Sequence, residues 1–405
     1  MIRISETRDA DVMGSVTRRE FIRGGAGALL LGRGVLQRAA KYDLLIKGGR
    51  VLDPSRQIDR PLDVAIQAGR IADLRPEIAA ADAAEVVDAR GRYVSPGLID
   101  LHVHTGDMPP AHCLSTGVTA MVDAGSRGAD NVGELVAMAK AAPNRVRILL
   151  NLARTGLGGS TGELLNFANA DTSAARRAVE AHAETIIGIK ARLSRTVVGD
   201  RDLDAIRRAH EITAPLELPL MVHVGQTASP LPDILALLRP GDIVTHIYAP
   251  PPNGMLDAGG RVLPEVRVAR QRGIRFDVGN GRNAHITWDV VERALQQDFL
   301  PDTISSDLTE PGRTDRVFDF PTVLSKFLML GLSLDQVVAR ATVNAAAAIP
   351  VYNGLGTLTV GAPADVFVCD LQEGEFEFVD NDRAVRKGRL KIVPRAVVAN
   401  GRVVR

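Results

Sequence analysis

The chain has little cysteine, no surplus of charge of either sign and no long apolar run, and each shortage excludes a class of protein. Only Cys113 and Cys369 occur in its 405 residues, far apart and without a CxxC pair. Neither a disulfide framework nor a thiolate zinc site is therefore expected. Lys and Arg number 49 against 48 Asp and Glu, a formal net charge of +1. That balance gives no electrostatic pull toward nucleic acid or an anionic membrane, which leaves a small polar molecule as the expected partner. The apolar run Gly24-Gly25-Ala26-Gly27-Ala28-Leu29-Leu30-Leu31-Gly32 is nine residues, too short to span a bilayer. At 45% hydrophobic and 24% charged residues, the composition is that of a globular protein with ample core. Self-association is left open.

That apolar run comes directly after Thr17-Arg18-Arg19-Glu20-Phe21-Ile22-Arg23, the pattern of a twin-arginine export signal. Residues 1–40 thus read as a signal or a disordered N-terminus, and periplasmic export is the expectation. Arg33 cuts the apolar region short, and Arg38-Ala39-Ala40 is a poor cleavage site. A cytoplasmic protein with a basic leader is the alternative.

From Tyr42 onward the chain reads strand, turn, strand. Tyr42 to Asp53, Asp63 to Ala72 and Glu85 to Arg92 share this style, which returns only at Gly356 to Asp370 and Arg395 to Val404. One small β-sandwich domain built from both chain ends, residues 41–96 with 353–405, accounts for this. Between them, in residues 97–352, short apolar runs alternate with helical patterns, as repeated βα units do. Eight strands are expected: Leu98–His104, Val118–Ala124, Val146–Asn151, Ile186–Ala191, Leu220–Val224, Ile243–Tyr248, Ile274–Gly279 and Thr303–Asp307. Eight such units close a distorted TIM (β/α)8 barrel, whose active sites gather at the carboxyl ends of the strands. Asp200 or Asp202 is the expected cap of the helix between the fourth and fifth strands.

Asp100-Leu101-His102-Val103-His104 ends the first strand. Histidines two apart on a strand point the same way and can grip one cation. An isolated pair also occurs by chance, but here Lys190, His223, His246 and Asp307 stand at the ends of the fourth, fifth, sixth and eighth strands. Imidazole and carboxylate suit divalent ions such as zinc. His112, His182 and His210 have no such company and read as surface or structural residues.

This order of ligands resembles the amidohydrolase superfamily. Val94-Ser95-Pro96-Gly97-Leu98-Ile99-Asp100-Leu101-His102-Val103-His104, Gly188-Ile189-Lys190 and Gly361-Ala362-Pro363-Ala364-Asp365-Val366 are similar to its dihydroorotase-like branch. Val118 to Ser126, Phe276 to Gly281 and Ser305-Ser306-Asp307-Leu308 look most like a group of amidohydrolase deacetylases. The resemblance implies two divalent ions held by His102, His104, Lys190, His223, His246 and Asp307. It also implies that Lys190 has reacted with carbon dioxide to a carbamate, which brings the net charge of such a site from about +3 to about +1. A shared hydroxide would attack the substrate, and Asp307 would carry the proton to the leaving nitrogen.

Substrate contacts are expected from Arg192, two residues beyond Lys190; from Tyr248, which ends the sixth strand; and from Asn280 and Arg282, which with His285 give the loop after the seventh strand its own character. A guanidinium there suits a substrate carboxylate, although each arginine is equally suited to structural ion pairing. The expected activity is deacetylation of N-acyl amino acids or related acylated acids. Cyclic amidase, ester or phosphoester hydrolase and metal-free scaffold are the alternatives.

Overall fold

A computed structural model describes residues 40–158 and 162–404. The Arg18-Arg19 segment lies outside the described residues, as does part of the loop after the third barrel strand. Both chain ends enter one sheet, built from β1 (Tyr42–Asp53), β2 (Ile58–Gln67), β3 (Arg70–Arg75), β4 (Ala83–Asp88) and β5 (Tyr93–Pro96) of the first half. Beyond the seven barrel strands, β6 to β12, the second half adds β13 (Val366–Val379), β14 (Val385–Ala399) and β15 (Arg402–Val403). The strand order is β15-β14-β13-β5-β1-β2-β3, with β4 beside β1. Leu44, Ile46, Val64 and Ile66 share one apolar core with Val366, Val368 and Val398, so the sheet needs both ends of the chain to bury its face.

The barrel strands are β6 (Leu98–Val103), β7 (Val118–Ala124), β8 (Arg145–Asn151), β9 (Ile186–Arg192), β10 (Leu220–His223), β11 (Ile243–Thr245) and β12 (Arg275–Asp277), parallel and paired in sequence order. Their apolar residues, Ile148, Val222, Val244 and Phe276 among them, pack with helix residues Val136, Ile206, Leu235, Val266 and Val291. Helix Asp202–Thr213 shows why: Ala205, Ile206, Ala209 and Ile212 are buried, a helical spacing that forms one stripe. Neither Asp200 nor Asp202 caps this helix, whose N-cap is Arg201. Asp202 instead accepts from Ser229 N and Oγ at 2.7 Å, and Asp200 pairs with Arg195.

The eighth segment forms no extended ladder. It closes the ring through two parallel bridges, Asp277 with Thr303 and Val103 with Leu308. Asp307 N donates to His102 O at 2.7 Å and His104 N to Leu308 O at 3.0 Å, which sets Asp307 directly against the histidine strand. The architecture is a distorted (β/α)8 barrel with a sheet drawn from both chain ends. No helix among the described residues is long and apolar enough to cross a membrane.

Candidate metal centre

The strand tips deliver the site. His102 is almost fully buried at the end of β6, and the alternation of the strand carries His104 to the same mouth. Past β11 and in the eighth segment the backbone changes hand: His246 has φ +65° and Asp307 φ +50°. Left-handed backbone at non-glycine residues costs energy and clusters at functional sites. Gly281, at φ +46°, admits the site sterically, since a Cβ there would lie 2.0 Å from His285 Nδ1 and 2.4 Å from Asp307 Oδ2.

The hydrogen bonds select one tautomer for three histidines. Thr245 Oγ1 donates to Asp277 at 2.7 Å, so it can accept from His102 Nδ1, 3.0 Å away. Ser126 Oγ donates to Asp123 at 2.7 Å, so it can accept from His104 Nδ1 at 3.1 Å. His246 Nδ1 faces the Gly279 carbonyl at 2.7 Å and must donate. Each ring therefore presents an Nε2 lone pair to the centre, the orientation that a carboxylate or carbonyl behind a metal-binding histidine enforces.

Asp307 Oδ1 lies 3.3 Å from His102 Nε2 and 3.1 Å from His104 Nε2, and its Oδ2 lies 4.0 Å from His246 Nε2. Two donors at about 2.0–2.1 Å from one zinc-like ion are themselves about 2.9–3.4 Å apart, so the first two contacts are spaced as ligands of one cation would be. His246 Nε2 is buried without a hydrogen-bond partner, an expense that a cation would remove. Lys190 Nζ sits 3.1 Å from His102 Nε2. The ligand atoms of His102, His246 and Asp307 lie within 4.8 Å of one another, and so do those of His223, His246 and His285. The donor set fits divalent ions.

Residues 93–404 match the model of the amidohydrolase family. The chain belongs to that family. This amidohydrolase is 31% identical over 372 residues to a deacetylase of Enterococcus faecalis, a match covering 89% of this chain and 99% of the relative. It is similar to the crystal structure of an adenine deaminase, with a TM-score of 0.83, 30% identity and coverage of 89% and 99% of the two chains. A dihydroorotase structure gives a TM-score of 0.81, 28% identity and coverage of 89% and 97%. The amidohydrolase is a hydrolase of carbon–nitrogen bonds.

Of the residues expected at its site, His102, His104, Lys190, His223, His246 and Asp307 converge. Arg192 and Arg282 line a cavity of about 400 Å³ together with Lys190, His223 and Asp307. Arg192 Nε is 3.3 Å from the buried Glu163, and Arg282 is 3.9 Å from Asp315. Tyr248 and Asn280 do not reach that cavity. Tyr248 is fully buried and donates to Phe299 O at 3.2 Å. Asn280 is fully buried too, accepting from Lys326 Nζ at 3.0 Å. The sequence reading missed the orienting residues Ser126, Asp123, Thr245 and Asp277. Among them Asp123 and Asp277 carried a local signal, as aspartates at strand ends in Val122-Asp123-Ala124-Gly125-Ser126 and Phe276-Asp277-Val278-Gly279.

Loss of water around His102, His223 and His246 pushes all three well below the usual histidine range. They stay neutral in the fold and take up protons when it opens. Below about pH 6.5, the unperturbed value, the unfolded state therefore binds more protons. Stability of the metal-free amidohydrolase is complete above that pH and is expected to fall as pH drops through it, by at most about 1.4 kcal/mol per pH unit for each histidine. Thermal melts of chelator-treated protein between pH 7 and 5 check this, and a flat profile contradicts it.

Proposed function

We propose that this amidohydrolase is a metal-dependent deacylase of N-acyl amino acids or related acylated acids. The observation that carries the reading is the set of three Nε2 lone pairs, each held by its own hydrogen bond, facing one carboxylate and one buried lysine. His102, His104, Lys190, His223, His246 and Asp307 would hold two divalent ions, with zinc suited to the nitrogen-rich set. Such ions polarise a carbonyl and make water acidic near neutral pH.

The remaining work belongs to side chains. Lys190 is fully buried, which lowers its pKa to about 7. A neutral amine is the form that adds carbon dioxide, releasing a proton as the carbamate forms, so burial makes the Lys190 amine available for that reaction. Asp307, on the cavity wall beside His104, takes the proton of the attacking water and hands it to the leaving nitrogen. Arg192 and Arg282 face the same space and suit a substrate carboxylate.

The test is a panel of N-acetyl-D- and L-amino acids, hydantoins, dihydroorotate, adenine and esters, run with metal analysis. Hydrolysis of N-acetyl amino acids that is lost on chelation and restored by zinc is expected. Turnover of the cyclic amides or adenine alone would overturn the substrate reading, and a chelated enzyme at full rate would overturn the metal.

Arg282, more loosely paired than Arg192, probes the carboxylate. A hydrogen bond to a charged group is worth about 1.5–3 kcal/mol, so Arg282→Met should raise KM for N-acetyl amino acids by about ten- to a hundred-fold. The matching neutral amides should show no such change. An equal effect on both would remove Arg282 from carboxylate recognition.

A further inference from the structure

We infer that His285 is an additional ligand at the second metal position, forming with His223 and His246 a three-imidazole site. The inference rests on the metallohydrolase reading and adds a residue to it. His223 and His246 have ring centroids 4.1 Å apart, His223 and His285 4.9 Å, and His246 and His285 3.8 Å. The three offer nitrogens within 4.8 Å of one another. His246 Nε2 and His285 Nδ1 are both buried without a hydrogen-bond partner. The latter lies 2.9 Å from Asp307 Oδ2, yet the pair lacks the alignment of a hydrogen bond. That separation equals the edge between two donors at right angles on an ion at about 2.05 Å.

The loop that carries His285 is built for this position. At the tip of the β13–β14 hairpin, Asn381 Oδ1 accepts from His285 N at 2.8 Å and from Ile286 N at 3.3 Å. Asn381 Nδ2 donates to Gly281 O at 3.0 Å. Asp380 Oδ2 accepts from Trp288 N at 2.9 Å, and Trp288 Nε1 donates to Ala384 O at 2.8 Å. The hairpin thus reaches from the chain-end sheet to the barrel mouth and holds both flanks of His285. Gly281 leaves room for the ring against Asp307, as only a residue without Cβ can. Three imidazoles make a nitrogen-rich site, which favours zinc or cobalt over magnesium.

The test uses full-length protein loaded with cobalt(II). Wild type should bind two ions by equilibrium dialysis. In His285→Ala one of the two should bind at least about ten-fold more weakly, a loss that even residues behind the ligands produce, while the other is unchanged. His285→Cys should recover affinity and add a thiolate-to-cobalt charge-transfer band in the near ultraviolet, with wild type as the blank for Cys113 and Cys369. A merely structural residue would not produce that band. Unchanged affinities in His285→Ala, or His285→Cys without the band, overturn the inference while leaving the two-ion reading intact. Failure of wild type itself to bind a second ion overturns both, and is recognised without any variant.

Discussion

Asp307→Asn is expected to slow hydrolysis of an N-acyl amino acid by about a hundred- to ten-thousand-fold, the usual cost of removing a general base, while metal content largely survives. The side chain keeps its shape and an oxygen where Oδ1 stands 3.3 and 3.1 Å from His102 and His104. Its backbone is held by the 2.7 Å hydrogen bond from Asp307 N to His102 O, so the substitution should change proton affinity and little else. His104→Ala should fail differently: it removes a proposed ligand whose orientation Ser126 and Asp123 maintain, and metal should leave together with activity. Metal stoichiometry and turnover, measured side by side on both variants, separate the two roles. Near-normal turnover in fully metallated Asp307→Asn would remove Asp307 as the proton carrier.

Lys190→Ala should abolish most activity, by at least about a hundred-fold, since a proposed ligand position is lost outright. Formate, acetate or propionate should restore part of it. The amine is fully buried, 3.1 Å from His102 Nε2 and 3.4 Å from Met221 Sδ, and truncation leaves a gap lined by the groups a carbamate would face. A small carboxylate fits that gap and supplies the same anionic oxygens. The measurement is turnover against added acid, with formamide or acetamide as the uncharged control. A fully active Lys190→Ala enzyme would end the carbamate idea, and rescue by the amides as well would show that volume rather than charge had been replaced.

Much of the proposed ligand set was legible in the sequence because those residues sit where regular strands end. His102 lies on β6 and His104 directly follows its last residue, and the period of two carried one step past the strand puts them on one side. Lys190 and His223 likewise lie on β9 and β10. Tyr248 is different. It is expected to end the sixth strand, but β11 stops at Thr245 and His246 turns left-handed. The register breaks there, and Tyr248 swings to the Phe299 carbonyl. Asn280 was diverted in a similar way: Gly279 and Gly281 at φ +51° and +46° flank it, and its side chain turns to Lys326.

The sequence by itself determined the βα repeat, the sheet shared by the two chain ends and the order of the candidate ligands along the barrel. These are encoded locally, in apolar periodicity, turn residues and strand tips. Tertiary structure alone decided which groups stand behind the ligands and what joins them. Thr245 reaches His102 across 143 positions, and Asn381 holds the His285 loop from 96 positions away. No periodic pattern links residues so far apart; they meet because barrel closure and the β13–β14 hairpin bring separate segments to one mouth, where buried polar groups must find partners.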